Sequence, residues 1–109
     1  MKYHNKKTEN NGITFDSKKE SRRYNDLKML EKAHIIKDLE LQKVFELQPK
    51  FVNRTGQHIR AITYIADFYY YDNEKQEWIV EDTKGFRTEV YKIKKKLFEY
   101  KYNLTIKEI

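Results

Sequence analysis

The sequence predicts a single domain of the α/β (α+β) class, in which a central sheet is flanked by an N-terminal and a C-terminal helix. Helical periodicity occurs near each end of the chain, and segments rich in β-branched and aromatic residues lie between them. One Pro and three Gly in 109 residues leave room for much regular structure. A chain of this length buries one modest core. We therefore expect one domain over residues 13–109, preceded by a mobile basic arm over residues 1–12 that ends in a turn at Asn10-Asn11-Gly12.

The first helix is predicted from residue 16 to about residue 34, because Tyr24, Leu27, Leu30 and Ala33 recur on one arc. Ser17 stands three residues before Glu20, which is the spacing of a capping box. A helical wheel also puts Glu20 at the N-terminal end of the buried stripe, so its carboxylate needs a partner. That partner is the cap amide, a lysine or a metal ion. On the residues alone the cap is favoured, since the capping box is a common device.

The middle of the chain is predicted to be extended. Two short alternating runs between residues 35 and 51, stopped by Pro49, indicate strands at the edge or flank of the sheet. A turn follows at residues 53–56. Residues 58–71 are predicted as the longest strand, and because both faces are largely apolar we expect it to be central. Asp67 is the lone charge in its middle.

A strand from Trp78 to Lys84 follows a polar turn. Strand alternation places Asp82 and Lys84 on one face and Glu81 on the other. If residues 74 and 75 form a two-residue loop, the numbers of any two paired residues add up to the same value as 74 and 75. Asp67 and Asp82 satisfy this condition, so they stand directly opposite each other.

Thr88 is predicted to cap a second helix that ends near Tyr102, after a break at Gly85. Its inward stripe is expected to consist of Val90, Ile93, Leu97 and Tyr100. Lys94 falls inside this apolar arc, so it either extends toward solvent or points toward the acidic cluster. Residues 104–109 alternate and predict a terminal strand.

The charge balance favours an anionic partner. The formal net charge is +6, and no basic amphipathic helix carries the apolar face that membrane binding needs, so nucleic acid is favoured over a membrane. No run spans a bilayer and no signal-peptide core is present, so we expect a soluble, intracellular protein. The basic residues that could contact phosphates lie in the first helix and near the second: Lys18, Lys19, Arg22, Arg23, Arg87, Lys92, Lys95 and Lys96.

Two carboxylates that face each other in an apolar environment repel unless a cation lies between them. One interpretation is a structural ion triad, with Lys84 as the counter-charge to Asp67 and Asp82. The other is a divalent metal site, for which oxygen ligands suit Mg²⁺ or Mn²⁺, and no Cys or clustered His is available for zinc. The backbone carbonyl of Thr83 is a plausible further ligand. Such an ion would polarise a phosphoryl oxygen and acidify a bound water.

Asp67, followed by Asp82-Thr83-Lys84 on the next strand and preceded by Glu20 on an N-terminal helix, resembles the site of the PD-(D/E)XK nuclease superfamily. Ala66 stands where the motif has Pro. Three segments resemble those of small phage-encoded proteins of the DUF1064 family, and they are also similar to transposon-end endonucleases and phage resolving endonucleases. The segments are Phe15-Asp16-Ser17-Lys18-Lys19-Glu20, Ile65-Ala66-Asp67-Phe68 and Val80-Glu81-Asp82-Thr83-Lys84-Gly85.

The resemblance implies a restriction-endonuclease-like core with a mixed sheet. It implies that Asp67 and Asp82 bind metal, that Lys84 serves the attacking water, and that Glu20 completes the site directly or through water. The implied activity is that of a Mg²⁺-dependent endodeoxyribonuclease, with Mn²⁺ able to substitute, on DNA that includes branched or Holliday-junction forms. A homodimer would suit paired cuts. If the chain is phage-encoded, it would act in the cytoplasm of a bacterial host.

Two further interpretations remain open at this point. One is a non-catalytic DNA-binding or partner-binding module on a nuclease fold. The other is a small basic scaffold whose acids form a structural triad.

Overall fold

The structure of the protein, a computed structural model, describes residues 7–84 and 88–109. As predicted, a helix lies near each end with strands between them, but a short hairpin precedes the first helix. The elements are β1 (Thr8–Asn10), β2 (Ile13–Phe15), α1 (Lys18–Lys32), β3 (Ile36–Gln48), β4 (Phe51–Val52), β5 (His58–Ile59), β6 (Ile62–Asp72), β7 (Glu77–Asp82), α2 (Glu89–Tyr102) and β8 (Ile106–Glu108). The α+β class is therefore confirmed.

The main sheet is mixed and has the strand order β3-β6-β7-β8. The first two pairings are antiparallel, whereas β7 and β8 are parallel because α2 carries the chain back between them. Ile79 and Val80 are neighbours in β7 and so point to opposite faces. Ile79 packs in the cluster that contains Leu27 of α1, and Val80 packs with Phe98 of α2. The two helices therefore cover opposite faces of the sheet.

The strand alternation reverses in the middle of the sheet. With unbroken alternation Leu41 and Phe45 of β3 would face the same side, yet Leu41 packs against the α1 cluster and Phe45 belongs to the α2 cluster. The same reversal occurs in β6 on either side of Asp67, between residues 66 and 68. It coincides with Gln42, which has a left-handed φ of 51°. Strict alternation along β6 would keep Ala66 and Phe68 on one face of the sheet, so it fails at Asp67.

Two strand predictions need correction. The two short runs before Pro49 form one 13-residue strand, β3, which lies at the sheet edge as expected. The strand predicted over residues 58–71 is divided, because β5 pairs with β4 in a separate two-stranded sheet and only β6 joins the main sheet. The chain thus leaves the sheet between β3 and β6 to form a short ribbon.

The inward face of α2 differs from the prediction. The four residues expected to face the core are exposed, and Tyr100 is 91% exposed. Phe98 is fully buried instead, with Tyr91 and Tyr102 packed beside it. The helix therefore has two apolar arcs, the predicted one and an aromatic one that contains Phe98 and Tyr102. The aromatic arc faces the sheet, where both of these rings pack on the ring of Phe45. Thr88 caps the helix as predicted, accepting from the Tyr91 amide.

Ordered structure begins earlier than predicted. Thr8–Asn10 pairs with Ile13–Phe15 around a two-residue turn, in which Asn11 and Gly12 have φ angles of 55° and 78°. Positive φ at both positions is typical of a type I′ hairpin, for which Asn-Gly is the preferred sequence. Residues 8–12 are therefore part of the domain rather than of a mobile arm, while residues 1–6 lie outside the described ranges.

Neither α1 nor α2, the two helices of the described ranges, is long and apolar enough to cross a bilayer.

Candidate active site

Glu20 lies where the first turn of α1 meets the sheet. Its amide donates to the Ser17 hydroxyl at 3.1 Å, so the predicted cap is confirmed. One carboxylate oxygen of Glu20 accepts a hydrogen bond from the amide of Asp16 at 3.3 Å. In a standard capping box this acceptor would instead bind the amide of the cap residue itself, which is Ser17. The other oxygen accepts from Gln42 Nε2 at 2.9 Å. Glu20 therefore supports the helix end and also takes part in a second cluster.

Gln42 joins Glu20 to Asp67. The same Nε2 atom donates to Asp67 Oδ1 at 3.3 Å, so the two carboxylates lie on either side of one amide group. Our sequence reasoning did not identify Gln42. Its only sequence signal is its place in an alternating run of β3, and its backbone reversal becomes visible only in the sheet.

Asp67 is almost completely buried, with 1% of its surface exposed. Its Oδ2 accepts from the amide and the hydroxyl of Thr83, at 2.7 and 2.9 Å. Its Oδ1 forms an ion pair with Lys84 Nζ at 3.1 Å. The residues that follow β7 thus hold Asp67 through backbone, hydroxyl and ammonium groups together.

The predicted hairpin register is confirmed. Phe68 pairs with Glu81 and Tyr69 with Val80, which is the predicted register. The pairing ends at Phe68 and Glu81, and Asp67 and Asp82 are the next residues beyond it on the two chain segments. The loop between Asp72 and Glu77 has four residues rather than two, but it is centred on the same point.

Asp82 is held from two sides. Its Oδ2 accepts from the Tyr64 hydroxyl at 2.8 Å, and its Oδ1 accepts from the amide of Lys84 at 2.9 Å. Tyr64 was not among the predicted site residues, because alternation alone gives it the role of a packed core ring.

The cluster is electrically unbalanced. Burial, and then the charge of Asp67, raises the pKa of Glu20 from 4.5 to about 7. Burial alone would lower the pKa of Lys84, but the carboxylates of Asp67, Asp82 and Glu20 outweigh it and raise that pKa. Burial and the neighbouring Asp82 raise the pKa of Tyr64. Among the described residues, three carboxyl groups of this cluster therefore lie around the one ammonium group of Lys84, which favours a further cation.

The donor chemistry fits a hard divalent cation. Asp67, Asp82 and Glu20 offer oxygen atoms of the kind that Mg²⁺ and Mn²⁺ prefer. Within the described ranges, however, no three acidic or histidine side chains are arranged to share an ion. The ammonium of Lys84 occupies the cation position at Asp67 Oδ1, and its side chain is 53% exposed. An ion could bind to Asp67 once this side chain moves toward solvent.

Two cavities border the cluster. One of about 280 Å³ is lined by Asp82, Lys84 and Lys94, among others, so Lys94 borders the same cavity as the acidic cluster. The other, of about 220 Å³, is lined by Glu20 and Gln42. The contacts of Thr83 with Asp67 come from its amide and hydroxyl, and its carbonyl stays a predicted ligand.

On the other face of β7, Glu81 is fully buried and ion-paired. It accepts from Arg23 Nε at 2.7 Å and Arg23 Nη2 at 2.6 Å, and the Tyr70 hydroxyl also donates to it. The expectation that Glu81 lies away from the acidic pair is confirmed. Arg23, which we predicted to contact phosphate, turns inward, because the buried carboxylate needs a bidentate partner.

The other predicted phosphate contacts differ in their surroundings. Lys92 and Lys95 pair with Glu89 and Glu108, at 3.2 and 3.4 Å. Lys19 donates to the carbonyl of Ile109. Three more are exposed, and Arg87 lies outside the described residues. The exposed residues are Lys18, Arg22 and Lys96.

Comparison with known proteins finds one family. The family model described as "Protein of unknown function (DUF1064)" matches residues 1–108. No curated protein and no solved structure matches the chain significantly. Because the match covers nearly the full length, the chain belongs to the DUF1064 family.

Proposed function

We propose that this protein is a metal-dependent endonuclease that hydrolyses phosphodiester bonds in DNA, built on the restriction-endonuclease-like core of the PD-(D/E)XK superfamily. The observation that carries the proposal is the hydrogen-bonded cluster of Glu20, Asp67, Asp82 and Lys84. These side chains come from α1, β6 and the end of β7, and their carboxylates are buried. Buried carboxylates are costly to maintain, and in the described part of the chain the ammonium group of Lys84 does not balance three of them.

Each residue has a role that its contacts support. Asp67 and Asp82 would hold Mg²⁺, with Glu20 joining directly or through water and with the Thr83 carbonyl as a further ligand. The bound ion would polarise a phosphoryl oxygen and acidify a water molecule. The ammonium of Lys84 would orient the attacking water and stabilise the charge that develops on the phosphate.

The neighbouring side chains position these groups. Gln42 orients Glu20 and Asp67, while Tyr64 orients one oxygen of Asp82. The amide of Lys84 holds the other oxygen of Asp82, so the residue that carries the ammonium also fixes the carboxylate beside it. Loss of Gln42 or Tyr64 would therefore weaken cleavage through positioning.

The net charge of +6 supports a polyanionic substrate. The similarity to phage resolving endonucleases extends the proposal to branched DNA such as Holliday junctions. A homodimer would then place two sites for paired cuts.

The direct test is cleavage of supercoiled plasmid, linear duplex and four-way-junction DNA with Mg²⁺, with Mn²⁺ and with chelator. Wild type is expected to cut at least one substrate only with metal, and Asp82→Asn and Lys84→Ala are expected to lower the rate by about 100-fold or more. The exposed residues Asp26 and Lys75 supply the matched controls Asp26→Asn and Lys75→Ala, which should cut like wild type. Intact DNA under every condition would refute the proposal.

A second candidate is a binding module that does not cleave. It is favoured by the fact that both oxygens of Asp67 already accept hydrogen bonds, from Gln42, Thr83 and Lys84. Calorimetric titration with Mn²⁺ separates the two candidates. For a nuclease, Lys84→Ala removes a competing cation, so it should bind Mn²⁺ more tightly than wild type and yet cut no DNA. For a binding module in which Lys84 is only the structural counter-charge of Asp67, neither protein binds Mn²⁺ and Lys84→Ala is less stable.

A further inference from the structure

We propose that the β4–β5 ribbon, residues 50–60, is a DNA-binding arm that enters the groove of a duplex whose backbone extends to the candidate active site. This inference rests on the proposed function for the identity of its ligand. It assigns DNA contact to a segment that none of our sequence predictions associated with binding.

The first argument is charge. The chain has no Asp or Glu between Glu46 and Asp67, which is its longest run without an acidic residue. The ribbon within this run carries Lys50, Arg54 and Arg60, and all three are exposed. Elsewhere in the described residues many lysines have an acidic neighbour, as Lys28 and Lys92 do. A segment that exposes several cations and contains no acidic residue attracts the phosphate backbone of nucleic acid.

The second argument is the rigidity of the tip. Asn53 Oδ1 accepts from the amides of Thr55 and Gln57, at 3.1 and 2.9 Å, and from the Thr55 hydroxyl at 3.0 Å. Gly56 has a φ of 84°, which lets the turn close. The turn is thus organised by its own hydrogen bonds, and it presents Arg54 in a defined position. A preorganised arm loses less conformational entropy on binding.

The third argument is the exposed apolar surface. Phe51 and Val52 are 47% and 56% exposed. Among the described elements the ribbon makes no extended contact beyond the pairing of its own strands, so these side chains are not part of a core. A cavity of about 430 Å³ lies on the ribbon, lined by Phe51, Ile59 and the basic residues beside them. Aromatic and apolar side chains framed by Lys and Arg suit the sugars and bases of DNA.

The fourth argument is position. β6 begins at Ile62, directly after the ribbon, and reaches Asp67 five residues later. At about 3.3 Å per residue this distance is roughly 16 Å, which corresponds to about five base pairs at 3.4 Å each. Val44 and Ile65, paired across β3 and β6 along this path, are exposed, so the sheet surface is open there. A two-stranded ribbon fits a major groove about 12 Å wide.

The test measures binding without cleavage. Fluorescence anisotropy of a labelled 20-base-pair duplex in EDTA, over a series of salt concentrations, compares wild type with the triple variant Lys50→Gln/Arg54→Gln/Arg60→Gln. Each phosphate contact contributes about 0.9 to the slope of log K against log salt, so the slope should become less steep by up to about 3. Affinity near 0.1 M salt should fall by about tenfold or more.

The control is Lys32→Gln/Lys37→Gln/Lys75→Gln, which removes the same charge from exposed sites at the opposite end of the β6–β7 hairpin. It should lose far less affinity than the ribbon variant. Equal losses in the two triple variants would overturn the inference, since net charge alone would then explain them. Phe51→Ala should weaken binding with an unchanged salt slope and an unchanged thermal midpoint, because Phe51 is half exposed on a ribbon that makes no extended contact with another described element.

The outcomes also separate this inference from the proposed function. If wild type cuts DNA and the ribbon variant binds like wild type, the arm is wrong and the nuclease stands. If binding depends on the ribbon and no condition gives cleavage, the arm stands and the nuclease fails. Ribbon-dependent binding to phosphatidylserine vesicles without DNA binding would overturn the arm in favour of a membrane surface.

Discussion

Replacing Glu20 by Gln is expected to stabilise the metal-free protein at pH 8 and to leave its stability nearly unchanged at pH 4.5. Glu20 is 4% exposed, and its carboxylate lies across one amide from that of Asp67. Burial, followed by the charge of Asp67, raises its pKa from 4.5 to about 7. A Gln side chain has the same shape and carries no charge to be buried.

The direction and the size of the effect follow from proton linkage. A carboxyl group with a higher pKa in the folded protein binds its proton more tightly there, so the free energy of unfolding falls as the pH rises between the two values. The destabilisation is absent below pH 4.5 and complete above about pH 7. At about 1.36 kcal/mol per pKa unit, the upper limit is about 3 kcal/mol. Because exposed Gln42 lets solvent reach the site, we expect a difference of about 1 to 3 kcal/mol at pH 8.

Urea unfolding in EDTA at several pH values between 4.5 and 8 measures this difference. Glu74→Gln, in the exposed loop between β6 and β7, is the matched control and should show no such trend. A difference between Glu20→Gln and wild type that stays constant from pH 4.5 to 8 would contradict the reasoning. A trend of the same size in Glu74→Gln would show that the effect does not come from the buried cluster.

Three other substitutions test the packing. Arg23→Ala should lower the free energy of unfolding by about 3 to 5 kcal/mol, because it leaves the buried charge of Glu81 unpaired. Adding Glu81→Gln to this variant should restore part of the lost stability, and urea titrations measure both changes. Phe98→Ala should cost about 3 to 5 kcal/mol by calorimetry, whereas Leu97→Ala should cost less than about 1 kcal/mol. A larger loss for Leu97→Ala than for Phe98→Ala would mean that α2 packs on the arc that contains Leu97. Gln42→Leu should lower the free energy of unfolding by about 1 to 3 kcal/mol, because Glu20 loses a hydrogen-bond donor. The loss should be larger at pH 8, where Glu20 is ionised, than at pH 4.5. A loss that does not depend on pH would show that this hydrogen bond does not stabilise the carboxylate.

Several features could be predicted from the sequence because they depend on neighbours in the chain. The cap at Ser17 uses a side chain and an amide three residues apart. The separation of Glu81 from Asp82 follows from alternation along one strand. The register that pairs Phe68 with Glu81 follows from the centre of a short hairpin loop, and it holds even though the loop is longer than expected.

Other features depend on packing between distant segments, and local patterns gave the wrong answer or none. α2 carries two apolar arcs, and the choice between them was made by the rings of Phe45 and Tyr64, which pack on Phe98 from other strands. Arg23 is one of several basic residues in the first helix. It turns inward because a buried glutamate lies beneath it on β7.

By itself the sequence determined the fold class, the cap of α1 and the register of the β6–β7 hairpin, because hydrogen-bond chemistry and side-chain periodicity act over a few residues. Only the tertiary structure decided how the cluster is joined. Gln42 takes a left-handed backbone angle in β3, the alternation reverses there and at Asp67, and one amide then connects the helix acid to the strand acid. Such a contact depends on where three separate segments meet, and no spacing along the chain encodes it.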